Sequence, residues 1–460
     1  MNTIIADKLH AEQTISSNID NFFNQFSISR LMKMSNFYKE SGIPCVSVLK
    51  EIFSLVFSGK NLYRTLEMDS ERLPFRKNTA YRFLNSSRYN WSRLLMKLAT
   101  IITCEISKAT SEDRVNVLIV DDSFYDRGRS KNVELLSRVF DHTTHKFVKG
   151  FRMLTLGWSD GNTFIPAAFS LLSARQDKNI LCPVNSGIDK RHAGYKKRVD
   201  AVALATDTMF KLLDSVKHLH AKYVLFDSWF AFPKTICGIV ARNRNVICMI
   251  KNSSRIHYFY QGEWMDVKRI YSRLKIDTSG NICGSATAFI RESKKNPNLV
   301  EVKIVFVNNR QKSNFLAVLS TDTLLSDDEI IRIYGKRWDI EVFFKSAKSM
   351  LALAKEFQGR SYDMMTAHTT IVFMRYIMLA LEARNSSDPR TVGGLFYQAC
   401  DELTDIRFST SMLLLLDILK QILSGFSVLS ETAANEIMDL FFSSLPSVWS
   451  GKLKFSAYTY

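Results

Sequence analysis

Arg114-Val115-Asn116-Val117-Leu118-Ile119-Val120-Asp121-Asp122-Ser123 is where the pattern of the chain changes from helical to extended. Val115 to Val120 is a short β-branched apolar run that stops at two adjacent carboxylates, as a buried central strand does. Working outward, Phe151 to Ser159 and Thr163 to Leu172 flank Ser159-Asp160-Gly161-Asn162, a cluster of turn formers, and read as an antiparallel hairpin. Tyr195 to Val216 has helical apolar spacing, and Tyr223 to Phe226 is a second apolar run that ends on a carboxylate, Asp227.

Strand, hairpin, helix and strand in that order predict an RNase H-like α/β sheet, in which the first and fourth strands lie side by side and can unite two carboxylates. Strand signals return at His257–Tyr260, Ile282–Ile290, Val300–Val307 and Phe315–Leu319, which predicts a β-rich insertion over about 246–321. Ser326-Asp327-Asp328-Glu329 is a capping box that opens a long helix reaching about Leu353. Gly335 inside that helix costs roughly 1 kcal/mol relative to Ala, so a bend is expected near Gly335 to Asp339. Before the first strand, Ile15 to Thr103 is helical and basic, with Lys77, Arg82, Arg88 and Arg93 around Asn85-Ser86-Ser87. After Glu356 the pattern is again helical, including Met412 to Leu423.

Composition narrows the partners. Lys and Arg number 62 against 45 Asp and Glu, a formal charge of +17 that favours polyanions and makes nucleic acid the leading partner. A basic enzyme with a solvated cationic face is the plainer alternative. The seven cysteines are scattered and never form a C-x-x-C pair, so neither a disulfide framework nor a zinc site is signalled. Asp7 and Lys8 stand where a secretory signal needs an apolar core, and the most apolar stretch, Thr369 to Leu381, is short and contains Arg375. It reads as a buried helix, and no membrane role is expected.

The stretch richest in chemistry is Tyr334-Gly335-Lys336-Arg337-Trp338-Asp339-Ile340-Glu341-Val342-Phe343-Phe344-Lys345-Ser346-Ala347-Lys348. Arg337, Glu341, Lys345 and Lys348 follow Tyr334 by three, seven, eleven and fourteen positions, which helical periodicity puts on one face. A carboxylate flanked by cations and a phenol suits phosphodiester work, with Glu341 holding a divalent metal while the neighbours grip phosphates. A solvated charged face is the ordinary explanation of such stripes. Here Ile333, Ile340, Val342 and Phe343 bound the charged side with apolar surface.

This stretch resembles the Tyr-two-Arg-three-Glu-six-Lys signature of bacterial insertion-sequence DDE transposases, in the family named after insertion sequence four. Arg337-Trp338, Ile340-Glu341 and Phe344-Lys345 also resemble the family's wording, and the likeness covers about Val115 to Met350. The resemblance implies a cut-and-paste DNA transposase with Asp122, Asp227 and Glu341 as catalytic and metal-holding carboxylates. Tyr334, Arg337, Lys345 and Lys348 would contact the DNA. In the family a Ser or Thr directly follows the first catalytic aspartate, which selects Asp122; Asp121 is the alternative, since neighbouring strand residues face opposite sides. The implied cofactor is Mg²⁺, with Mn²⁺ substituting, in a two-metal site with ions about 3.5–4 Å apart. The implied partners are double-stranded DNA, both terminal inverted repeats and target, and a second copy of the chain in the DNA complex. The implied route runs through a hairpin on the transposon end, in a bacterial cytoplasm at the nucleoid.

The domain reading is then a helical DNA-binding region over 1–110, a catalytic domain over 111–354, and a helical region over 355–460 that serves dimerisation. Trp264, in Gly262-Glu263-Trp264, is a candidate for stacking on a flipped base, against an ordinary hairpin aromatic. Lys190-Arg191-His192 with Lys196-Lys197-Arg198 reads as a phosphate-contacting patch, and His142-Thr143-Thr144-His145 as loop histidines without further metal ligands. A repair or restriction-type nuclease and a domesticated, non-catalytic DNA-binding protein are the competing readings.

Overall fold

The computed structural model describes residues 18–58, 62–68, 73–111, 113–141, 146–276, 280–296, 298–308, 315–356 and 359–385, with six isolated positions beyond. His142 to His145, the segment before Asn18 and most of Met412–Leu423 lie outside the described residues.

Among the described residues six helices precede the sheet: α1 (Asn18–Gln25), α2 (Ile28–Lys33), α3 (Cys45–Ser54), α4 (Leu62–Met68), α5 (Lys77–Leu84) and α6 (Trp91–Lys108). The longest, α6, starts because the Asn90 side chain accepts the Arg93 N–H at 3.0 Å. Its stripe Leu94, Leu98, Ile102 and Ile106 is buried, each side chain contributing about 1.5–3 kcal/mol by leaving water.

Strands β1 (Val117–Asp126), β2 (Ser137–Asp141), β3 (Lys146–Ser159) and β4 (Phe164–Leu172) follow, then helices α7 (Ala193–Ala201) and α8 (Ala205–Ser215) and strand β5 (Tyr223–Phe226). Next come α9 (Pro233–Val240), β6 (Asn245–Ile250), β7 (Tyr258–Tyr260), β8 (Glu263–Met265), α10 (Val267–Arg273), β9 (Ile282–Arg291), β10 (Leu299–Asn308) and β11 (Phe315–Ser320). Helices α11 (Asp327–Gly335), α12 (Trp338–Ser349) and α13 (Tyr362–Asn385) complete the described chain.

The strands form one mixed sheet in the order β2-β3-β1-β5-β6-β11-β10-β9-β7-β8, with β4 paired to β3. β1 runs antiparallel to β3 and parallel to β5, and β5 parallel to β6. A central mixed sheet flanked by helices, with β4-β3-β1-β5-β6 in sequence, is compatible with a DDE or RNase H-like fold. Asn245–Ile250 therefore continues the parallel core, and β11 joins β6 antiparallel, so the later strands extend the same sheet.

The hairpin forms at the expected turn. Asp160 Oδ1 accepts the Asn162 and Thr163 N–H groups at 2.9 and 2.8 Å, and Gly161 at φ +87° supplies a backbone angle that side chains resist. β4 is buried along its whole length because helices α6, α7, α8 and α13 pack on it.

Three expectations need correction. β1 does not stop at Asp121 but continues to Asp126, because β3 pairs with it as far as Asp126↔Gly150. The helix read over Tyr195–Val216 is two helices: the Ala201 carbonyl accepts the Ser173 N–H at 2.8 Å, and the chain turns before restarting at Ala205. The basic run at 190–198 is divided: Lys190, Arg191 and Lys196 are exposed, and the other two cations are spent internally. Arg198 is buried between Glu134 and Asp363 and Lys197 donates to the Phe169 carbonyl at 3.1 Å, while Arg191 pairs with Asp189 at the surface.

Thr369–Leu381 is a buried helix as read, within α13. That helix is long and apolar enough to cross a membrane, but 94% of its most apolar window is buried inside the protein. Arg375 is wholly buried there, held by Glu356 and by the Ile52 and Phe53 carbonyls, so the last described helix and α3 share one core with the sheet.

Candidate active site

The capping box forms as the sequence requires: the Ser326 hydroxyl accepts the Glu329 N–H at 3.3 Å and Glu329 accepts the Ser326 N–H at 3.0 Å. Helix α11 then packs on β6 and β11, and α12 on β1. Between them the expected bend falls at Lys336 and Arg337. Lys336 anchors it, donating to the Val115 carbonyl at 2.6 Å and the Asp160 carbonyl at 3.1 Å. The start of α12 is thereby fixed against the start of β1.

Strand alternation divides the two aspartates of β1. Ser123 Oγ accepts from Lys348 Nζ of α12 at 2.6 Å, and Asp121 Oδ2 accepts from Arg337 Nη1 at 3.3 Å. Arg337 Nη2 also donates to Glu341 Oε1 at 2.5 Å. Asp121 and Glu341 therefore share one guanidinium. Asp122 faces the other side, where Arg152 of β3 donates to it at 2.6 Å. The register explains this: Arg152 pairs with Phe124 and Leu154 with Asp122, so Asp122 and Arg152 project from one face.

Asp227 follows β5 directly, and its Oδ1 accepts the Trp229 N–H at 2.9 Å. Burial pushes Asp121 up to about 7, helped by the Asp227 and Asp122 charges and opposed by Arg337. Burial raises Asp227 too; the Trp229 N–H opposes this, Asp122 adds to it, and Arg337 and Lys251 counter it. All three aspartates thus sense one another, with Arg337 as the shared counter-ion. Glu341 lies in the first turn of α12, where the helix dipole favours a negative charge.

The cations of the Glu341 helix do not behave alike. Arg337 and Lys348 are drawn to β1, and burial holds Lys348 below the ordinary lysine range. Lys345 is exposed. The Tyr334 ring is largely enclosed, and burial raises its hydroxyl. Trp264 is not brought to the carboxylates: five strands lie between β5 and β8 in the sheet, and its ring carries Arg291 at 4.1 Å and Phe259 at 5.5 Å. Arg152, Trp229 and Lys251, which surround the aspartates, escaped the sequence reading; only the β1–β3 register could have exposed Arg152.

Two family models match this chain: "DDE superfamily endonuclease" over residues 47–266 and "Transposase DDE domain" over 196–378. The chain is a DDE-class enzyme, a polynucleotidyl transferase or endonuclease. No curated protein matches it. In this DDE enzyme the two matches together span β1, β5 and α12, on or directly after which Asp121, Asp122, Asp227 and Glu341 lie. Its class binds DNA and generally uses divalent metal ions.

The residues suit such an ion in chemical kind. Asp121, Asp227 and Glu341 offer hard oxygen donors, and Asp121 and Asp227 are raised by burial first and by neighbouring carboxylate charge second. Among the described residues no three His, Cys, Asp or Glu side chains already form a closed ligand cluster. Arg337 lies between Asp121 and Glu341 instead.

Proposed function

We propose that this DDE enzyme is a cut-and-paste transposase of the insertion-sequence-four family, which cleaves transposon ends and joins them to target DNA through a hairpin intermediate. The observation that carries the reading is the Asp121–Arg337–Glu341 bridge beside Asp227, built from β1, β5 and the helix bearing Tyr334, Arg337, Glu341 and Lys348.

Asp121 rather than Asp122 is the first carboxylate in this proposal, because it faces Glu341 while Asp122 is paired with Arg152 on the reverse face. Asp121, Asp227 and Glu341 would hold Mg²⁺, or Mn²⁺ in its place, at two positions. Such ions, when bound, activate the attacking oxygen and stabilise the leaving one in an in-line displacement. The chain's own cations do the rest. Arg337 and Lys348 hold the phosphates that flank the scissile bond, and Tyr334 packs beneath them and keeps α11 in place. The β-rich strands after β6 lie beside the distorted DNA strand, with Trp264 as a stacking surface remote from the carboxylates. A second copy of the chain completes the synaptic complex in a bacterial cytoplasm.

The test is incubation with labelled terminal-repeat duplex and Mg²⁺, with nicked, hairpin and joined products separated on a denaturing gel. Hairpins and joined ends support transposition. Nicked or digested DNA alone, from protein that binds the ends, turns the reading to a nuclease.

A further inference from the structure

On the face of the sheet opposite Glu341 lies a cavity of about 850 Å³ that none of the roles above uses. It opens at the carboxyl end of β5, where open α/β sheets bind ligands. Its floor is aromatic: Trp229 and Phe232 are 37% and 43% exposed, unusual for residues on a tight loop beside a buried core. Its rim is cationic. Arg138, Arg152, Arg175 and Lys251 line it, and no Asp or Glu does so among the described residues.

The cations and the aromatics are arranged together. Lys251 lies over the Trp229 ring at 4.5 Å and over Phe232 at 5.6 Å, and Arg152 over Trp229 at 5.4 Å. Gln176 and Asn179 add amide groups at the edge. An indole face between cations attracts a flat, electron-rich ring system with a phosphate attached. A duplex cannot enter a cavity of this size, because its bases are stacked and paired. An unpaired nucleotide can.

We propose that this cavity binds an unstacked nucleotide of a single DNA strand, its base lying on Trp229 and its phosphates on Lys251 and the arginine rim. The site is tied to the chemistry by short links: the Trp229 N–H donates to Asp227, and Arg152 donates to Asp122. A base seated here draws its strand away from the duplex next to Asp227. The inference rests on the DDE reading only for the identity of the polymer, since the cavity's chemistry calls for a nucleotide whether hairpins form or not. A protein segment is the other occupant an exposed aromatic patch can take, but a rim of four cations, of which only Arg152 is paired with a carboxylate in a salt bridge, favours a polyanion.

The experiment measures binding of the full chain to a fluorescein-labelled oligothymidylate and to a blunt duplex of equal length, by anisotropy at fixed salt without divalent metal. Trp229→Ala and Phe232→Ala should weaken oligothymidylate binding about tenfold or more and duplex binding less than threefold; Trp229→Phe should restore most of the loss, because stacking survives. The rim variant Arg138→Glu/Arg175→Glu, at exposed positions, should weaken oligothymidylate binding similarly. Circular dichroism melting checks that each variant is folded. Unchanged oligothymidylate affinity in folded Trp229→Ala and rim variants, or equal losses for both DNAs, overturns the proposal, the first pointing to a protein segment. Cleavage of terminal-repeat duplex by the wild type, assayed separately, shows whether the transposase reading stands on its own.

Discussion

Arg337 donates to Asp121 at 3.3 Å across 216 positions of sequence, and with its other amino group holds Glu341 four residues further along its own helix. One cation thus fastens Glu341 to the first strand. Lys336, immediately before it, ties the helix bend to the Val115 carbonyl and so holds Arg337 near the start of β1. An arginine placed between two acids is an internal counter-ion, and of the two aspartates of β1 it contacts Asp121.

Asp121→Asn should abolish measurable cleavage, while Asp122→Asn should reduce it by roughly 10–100-fold, as expected of a group that supports others without touching the substrate. Asp122 holds Arg152 and adds charge beside Asp227, so its loss is felt indirectly. Initial rates on a labelled duplex decide between them. Activity surviving in Asp121→Asn but not in Asp122→Asn reverses the assignment.

Protonation gives a second handle on the same residue. Asp121 titrates near 7 in the folded protein, against about 3.9 in an unfolded chain. Its folded pKa is raised, so its contribution to stability is complete below about pH 4 and is lost as pH rises through 7. Without divalent metal, the urea midpoint should fall between pH 5 and 8, and Asp121→Asn, which cannot ionise, should flatten that fall. Added Mg²⁺ should restore the wild type most at pH 8, where no proton competes for the carboxylate. An identical pH slope in the asparagine variant refutes this account.

Much of the core was legible because its signals are local. A β-branched run, a turn built on Asp160 and Gly161, and the Ser326 capping box each specify their own structure over a few residues. Local patterns do not say where a strand stops when a partner keeps pairing with it, which is why β1 runs on to Asp126. They also do not reveal which of two adjacent aspartates faces a helix 216 positions away, since that depends on sheet register and on the Lys336 tether. Within the basic run at 190–198, charge content likewise does not report that Arg198 lies between Glu134 and Asp363.

The buried pair Glu356–Arg375 lends itself to a stability test. Arg375→Met should cost about 3–5 kcal/mol, because it leaves the Glu356 carboxylate buried without its cation and frees the Ile52 and Phe53 carbonyls. Glu356→Gln/Arg375→Met should cost clearly less than the sum of the single changes. Chemical denaturation of the three variants provides the cycle; strictly additive losses exclude the coupling.

The cations of α12 separate strand transfer from simple hydrolysis. Arg337 and Lys348 both reach β1 on the Glu341 face, and in the proposed reaction both hold flanking phosphates. Phosphate contacts of this kind position a strand without reading its sequence. A nuclease needs one stable placement of the scissile phosphate. Hairpin formation needs more, since the freed 3′-hydroxyl must be held in line with the opposite strand, and small misplacements of reacting groups are costly. Arg337→Ala and Lys348→Ala should therefore reduce hairpin and joined products more than initial nicks, with α12 intact because alanine is a strong helix former. Lys348→Ala is the cleaner of the two, because Arg337→Ala also removes the counter-ion of Asp121 and Glu341 and should lower nicking in part. The readout is the ratio of hairpin to nicked DNA at equal extents of nicking. A ratio unchanged in Lys348→Ala, with nicking and hairpin formation falling together, would show that the lysine serves the carboxylate site as a whole and has no separate part in strand transfer.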